Sequence, residues 1–191
     1  LRPDPAILRT WQPAQMPGGR IAAFHGYFDN ADEIARELGC RHESVSQLYG
    51  LAVEKWGALA DEKIIGEFCT IIADRENRCL RLARSPFRAP PLVYHHDERY
   101  ACAASVPRAI HATGLDQRLN EERAADSAML NFRNTEATWF LGIHRVPLGS
   151  TVEVRPGAPR KLTKYYDLFS KPDVRMSRDE DYIEKANALL D

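Results

Sequence analysis

Leu82-Ala83-Arg84-Ser85-Pro86-Phe87-Arg88-Ala89-Pro90-Pro91-Leu92-Val93-Tyr94 follows Gly66-Glu67-Phe68-Cys69-Thr70-Ile71-Ile72-Ala73-Asp74, and the two stretches together decide the fold. Glu67–Ala73 is an unbroken apolar run of β-favouring residues. Asp74-Arg75-Glu76-Asn77 is a hairpin-type turn, so Cys79–Ala83 pairs back against the first run. A Pro-stiffened loop comes next. Leu92–His95 then makes a hairpin with Tyr100–Ala104 across the turn His96-Asp97-Glu98-Arg99.

Toward the N-terminus, Arg20–Phe28 reads as a strand that ends in a turn at Asp29-Asn30. Asn30 is then the N-cap of a helix Ala31–Leu38, with Glu33 completing a capping box and Gly39 stopping it. Ser44–Trp56 is a second helix, with Leu48, Leu51, Ala52 and Trp56 on one face and Ser44 as its cap. A helical turn over Ala58–Lys63 follows. Residues 1–19 hold four prolines and a glycine pair and read as irregular. Toward the C-terminus, Val106–Ala112 and Asn120–Leu130 are short helices. Ser150–Arg155 and Lys161–Tyr165 pair across Pro156-Gly157. Asp167–Met176 is a linker, and Arg178–Leu190 opens a further helix. Hairpins flanked by helices, without βαβ alternation, predict an α+β fold.

The chain has 191 residues, enough for one domain plus a short appendage, and 44% of them are apolar. The formal net charge is −1, with the basic residues scattered. No basic stripe points to nucleic acid, and no polybasic run to a membrane surface. No apolar run approaches the ~20 residues of a membrane span. Cys40, Cys69, Cys79 and Cys102 lack metal-site spacing. Cys69 and Cys102 lie in strand-like runs, as small buried thiols do. These features, with an N-terminus unlike a signal peptide, predict a reducing, cytoplasmic setting. Leu1 is not an initiator Met and Asp191 falls inside a helical pattern, so the sequence reads as a piece of a larger polypeptide.

Six segments, in order, resemble the N-terminal domain of the asparagine synthetase family. Phe24-His25-Gly26-Tyr27-Phe28-Asp29-Asn30 resembles F-N-G-E-I-Y-N, and Ser44–Gly57 resembles the next helix. Ile64–Asp74 resembles L-x-G-x-F-A-F-x-x-x-D, and Arg84–Tyr94 resembles R-D-P-F-G-x-x-P-L-Y-Y. Ala104–Ala109 resembles A-S-E-x-K-A. Thr138–Gly149 with Tyr165-Tyr166 resembles the closing F-x-G-I-x-x-L-P-P-G strand and its aromatic pair. The resemblance covers residues 20–168. It implies a four-layer αββα sandwich of the N-terminal-nucleophile (Ntn) hydrolase type, a class II glutamine amidotransferase, over residues 1–168. Residues 169–191 would be a linker and first helix toward a synthetase domain of the same polypeptide. That domain would bind ATP and Mg through an S-G-G-x-D-S loop absent from this sequence; no cofactor is expected in the stretch given, and a homodimer is one further arrangement.

The departures from the family matter as much. Its glutaminase chemistry needs a thiol on residue 1, with the α-amine as base. Leu1 has none, and Cys40 lies beyond the matched glycine turn. The family's Asn-Gly pair forms an oxyanion hole. Here His25 replaces Asn and Gly26 is kept. Val45 falls where a carboxylate grips the substrate's α-amine, and valine cannot hold an ammonium. Ser85 and Arg88 replace the Asp and Gly of R-D-P-F-G. The resemblance thus implies a vestigial pocket of His25, Gly26 and Val45, no catalytic residue, and a retained scaffold motif of Arg84, Pro86, Phe87 and Pro91. Arg84 could anchor a substrate carboxylate or tie down the turn carrying Pro86 and Phe87.

The implied parent is an ATP-dependent amide-bond-forming ligase whose amine comes from its own substrate. β-Lactam synthetases and lasso-peptide macrolactam cyclases are of this kind, and the cyclase is the reading preferred here. Two alternatives stand: a glutamine-hydrolysing asparagine synthetase whose Cys was trimmed away, and a non-enzymatic interaction domain. The other histidines read as structural. His95 and His96 are adjacent on a strand, point to opposite faces, and are expected in a solvated turn without metal. His25 itself could be an oxyanion donor or a structural residue at a strand end. Trp56 and Trp139 are core candidates.

Overall fold

The computed structural model describes residues 12–41, 44–131 and 133–190. Among them, nine strands form two antiparallel sheets. The larger runs β1–β2–β3–β4–β8–β9, from Ala14–Gln15, Ile21–Gly26, Phe68–Asp74, Cys79–Arg84, Ser150–Val154 and Lys161–Lys164. The smaller runs β6–β5–β7, from Ala101–Ala104, Val93–His96 and His144–Arg145. The helices are α1 (Ala31–Leu38), α2 (Val45–Trp56), α3 (Ala60–Lys63), α4 (Pro107–His111), α5 (Glu121–Ala128) and α6 (Asp179–Leu190). One short strand escapes sequence reading: β1 lies in the stretch expected to be irregular. β7, two residues long, falls within Thr138–Gly149, the segment that resembles the family's closing strand.

Period-two alternation builds the layers. Phe24, Phe68 and Ile72 of the larger sheet pack with Ile34, Leu48, Tyr49 and Ala52 of α1 and α2. The intervening residues point the other way. Cys69, Leu82, Val152 and Val154 meet Leu92, Tyr94 and Val146 between the sheets. Beyond the smaller sheet, Val93 and Ile143 close on Ile110 of α4. The order helix, sheet, sheet, helix is the αββα sandwich that the family resemblance implies.

Local chemistry explains most element ends. The Ser44 hydroxyl accepts the Gln47 N–H at 3.2 Å and caps α2. The Asn120 side chain does the same for α5 through Arg123 N–H at 3.1 Å. Asn30 departs from expectation: its side chain caps nothing. It instead accepts from Ile65 N–H and donates to the Lys63 carbonyl, both at 2.9 Å, tying the start of α1 to the chain entering β3. A long-range pair of backbone groups outbids the local cap.

Two further expectations change. His95 is not in a solvated turn: it is 6% exposed on β5, its Nδ1 2.8 Å from the Gly142 carbonyl. Trp139 is 46% exposed, with the Arg123 guanidinium over its ring. The linker region contains a 3-10 turn at Leu168–Ser170, and α6 buries no residue. No helix among the described residues is long and apolar enough to cross a membrane.

One polar cluster interrupts the helix-side core. Tyr49 of α2 donates to Asp61 of α3 at 2.9 Å and accepts from Thr70 of β3 at 2.9 Å. Thr151 of β8 donates to the same carboxylate at 2.9 Å. Arg81 of β4 reaches both the Tyr49 hydroxyl and Asp61. Burial, aided by the Asp61 charge, raises the Tyr49 phenol far above its ordinary range. The hydroxyl therefore stays protonated and works as a fixed donor.

Candidate functional site

The His25-Gly26 turn is shaped by two glycines that cross at close range. Gly26 (φ +128°) and Gly66 (φ +152°) each lie against the other strand's backbone. Tyr27 N–H then donates to Glu67 O and Asp29 N–H to Ile65 O, both at 2.9 Å, so pairing continues past the end of β2. This crossing holds His25 at the exposed end of its strand.

Strand register then assembles a row that sequence spacing conceals. His25 pairs with Cys69, Cys69 with Arg84, Arg84 with Ser150, and Ser150 with Lys164. Directly paired residues share a face, and Cys69 belongs to the packing between the sheets. The row therefore crosses five strands on the inter-sheet face. The signal that could have found Cys69 is its alternation with Phe68 and Thr70; its partner needs the register, which sequence alone does not supply.

Val45 is the first residue of α2 and packs against the helix-side core, while alternation with Phe24 turns His25 to the opposite face. The next residue, Ser46, accepts the Phe24 N–H at 3.1 Å, so the start of α2 meets the strand that carries His25 and Gly26.

Cys69 is the thiol nearest this turn in register, and its chemistry is unfavourable. Burial pushes it up to about 11 against a partial opposing pull from the Arg84 charge. At neutral pH about one molecule in ten thousand would carry the thiolate, the form that attacks. Iodoacetamide mapped by mass spectrometry should therefore label the half-exposed Cys40, Cys79 and Cys102 first at pH 7.5. The Cys69 rate should rise roughly tenfold per pH unit until near 11. Labelling of Cys69 at the speed of a free thiol at pH 7.5 would refute this assignment.

Arg84 donates to the carbonyls of Pro90 at 3.0 Å, Ala89 at 3.1 Å and Val146 at 2.8 Å. A buried guanidinium with three carbonyl partners is a clamp on the loop that runs from Pro86 to Pro91. Ser85 adds a second tie, accepting from Phe68 N–H at 2.9 Å and donating to the Arg88 carbonyl at 3.2 Å. Pro86 lies against the Gly149 turn, and Phe87 stacks edge-on with Tyr166 at 5.3 Å. Pro91 precedes the buried Leu92. Among the described residues no group of three or more His, Cys, Asp or Glu could hold a metal ion.

Two facing antiparallel sheets between helix layers are the sandwich of the Ntn hydrolases. Two solved structures share this fold. Glutamine phosphoribosylpyrophosphate amidotransferase from B. subtilis aligns with a TM-score of 0.55 at 14% identity, over 81% of this chain and 31% of its own. The allosteric regulatory enzyme of purine biosynthesis gives 0.54 at 13% identity, over 82% and 31%. The glutamine amidotransferase domain model matches residues 9–166, and the chain belongs to that family. Among curated proteins, the putative glutamine-hydrolysing asparagine synthetases of Mycobacterium tuberculosis and Mycobacterium bovis are 22% identical over 194 residues. Those alignments take in 95% of this chain and 30% of each relative, so the chain spans under a third of their length.

Proposed function

We propose that this chain is the amidotransferase-like part of an ATP-dependent amide-bond-forming ligase related to asparagine synthetase, in which glutamine hydrolysis is lost and the substrate supplies the amine. The observation that carries this reading lies inside the chain and does not depend on its first residue. At the turn where the family presents an Asn side-chain amide as donor, the structure presents His25, at the exposed end of β2. Macrolactam or lactam closure by an internal amine, as in lasso-peptide cyclases and β-lactam synthetases, needs neither glutamine nor ammonia. The glutaminase fold would then serve as a scaffold for the synthetase domain, which would bring ATP and Mg.

The test is product analysis on full-length protein with ATP, Mg and a substrate bearing both a carboxylate and an amine. Ring closure with release of AMP and pyrophosphate is expected, at a rate unchanged by glutamine or ammonium, and with no glutamate formed from glutamine. Glutamate release that keeps pace with ligation would overturn the proposal. That outcome would favour the second reading, a glutamine-hydrolysing asparagine synthetase, which the names of the mycobacterial relatives and the retained Gly26 support.

A further inference from the structure

At the far end of the His25 row, beside β8 and β9, lies an open cleft of about 740 Å³. Its lining includes four cations, Arg84, Arg123, Arg145 and Lys164, and one carboxylate, Glu136. That carboxylate is already committed to Arg160, which also donates to the Tyr94 hydroxyl at 2.6 Å. Lys164 pairs with Asp167 at 2.7 Å and remains half-exposed. Arg84 donates to three carbonyls and pairs with no carboxylate among the described residues. Arg145 makes one long contact of 3.4 Å, to the Thr135 carbonyl, and pairs with no carboxylate among the described residues.

Two guanidiniums without a counter-charge on one wall repel each other, and the repulsion grows as water is excluded. Burial lowers the pKa of Arg84, and the Arg145 charge adds to that shift. The simplest relief is an anion between Arg145 and Lys164, above Arg84. Pro147 and Leu148 also line the cleft and offer an apolar wall for the ligand's uncharged part. A metal ion is excluded by the sign of the charge. An extended nucleic acid is disfavoured by an overall charge of −1 and the absence of a basic stripe.

We propose that this cleft binds a small organic anion carrying at least two negative charges, with Arg145 and Lys164 as direct donors and Arg84 as the fixed charge beneath. Phosphate esters and polycarboxylates share this chemistry. The lining begins at Arg84, two strands from His25, and reaches Lys164, four strands away, and the proposal holds whichever reading of the parent enzyme is right.

The test titrates pyrophosphate and citrate into full-length protein at constant ionic strength, by calorimetry and by thermal shift. Saturable binding of at least one is expected, and the tighter probe names the source. Arg145→Gln and Lys164→Gln should each weaken it roughly tenfold or more, as loss of a charge-assisted bond does. Arg99→Gln, a change at an exposed turn residue, should leave it unchanged. Without ligand, Arg145→Gln should melt no lower than the unsubstituted protein, because it relieves the repulsion with Arg84. No saturation by either probe up to about 20 mM, where only very weak sites would fill, overturns the proposal. So does equal loss in Arg99→Gln, or a clear fall in the ligand-free melting temperature of Arg145→Gln, which would make Arg145 a structural residue.

Discussion

Asp61→Ala is expected to destabilise the protein by about 3–5 kcal/mol, the range for removing one partner of a buried ion pair. The Asp61 side chain is fully buried and that of Arg81 nearly so. Removing the carboxylate leaves the guanidinium without its counter-charge. It also leaves the Tyr49 and Thr151 hydroxyls without their acceptor. The cluster joins α2, α3, β3, β4 and β8, so the loss is felt across the helix–sheet interface and not at one contact. Arg81→Met alone should cost a similar amount, because it strands the carboxylate instead. The double variant Asp61→Ala/Arg81→Met should cost much less than the two single changes together, since neither leaves the other's charge unpaired. Urea unfolding followed by circular dichroism measures all three. Additive losses, or a single loss below about 1 kcal/mol, would show that the cluster is a solvated ion pair of little weight.

Much of the architecture was legible because alternation and capping are local signals. The apolar run through Phe68–Ala73, the Asp74–Asn77 turn and the Ser44 cap are written within a few residues of where they act. The layer order followed from resemblance, and the structure assigns each alternating residue to its layer. What sequence could not supply is register. The row from His25 through Cys69 and Arg84 to Lys164 joins residues up to 139 positions apart, and a one-residue slip would scatter it. The same limit applies to Val45, whose motif position says nothing about which face of the sheet it meets. Asn30 failed differently. Its side chain has a local partner available in the α1 backbone and a distant one at residues 63–65. Only the folded chain shows that the distant one wins. His95 was misjudged because neighbouring turn residues are polar, while its own strand position is covered by the Gly142 segment.

Gly26→Ala should abolish the native fold or cost on the order of 4 kcal/mol or more, beyond the usual range for a single substitution. A Cβ built on Gly26 lies 2.0 Å from the Glu67 carbonyl oxygen and 2.9 Å from the Phe68 Cα. Both obstacles are backbone, so no rotamer change relieves them. The positive φ adds strain of roughly 1–2 kcal/mol for a residue with a side chain. Gly66→Ala should behave alike, because its Cβ would lie 2.1 Å from the Tyr27 carbonyl oxygen. Gly157→Ala separates the two contributions: its φ is +70°, but nothing lies within 4 Å of the added carbon. That variant should lose only the backbone term of about 1–2 kcal/mol. Thermal melts of the three proteins give the comparison. Should Gly26→Ala melt within a few degrees of Gly157→Ala, the tight crossing of the two strands would be wrong. In that case the His25 turn would have room to adopt other shapes, and a donor geometry set by the crossing could no longer be argued. A large loss at Gly26 and Gly66 together with a small one at Gly157 would mean that the turn is rigid. Any chemistry retained or lost there would then depend on which side chain stands at position 25, because the backbone beneath it cannot move to compensate.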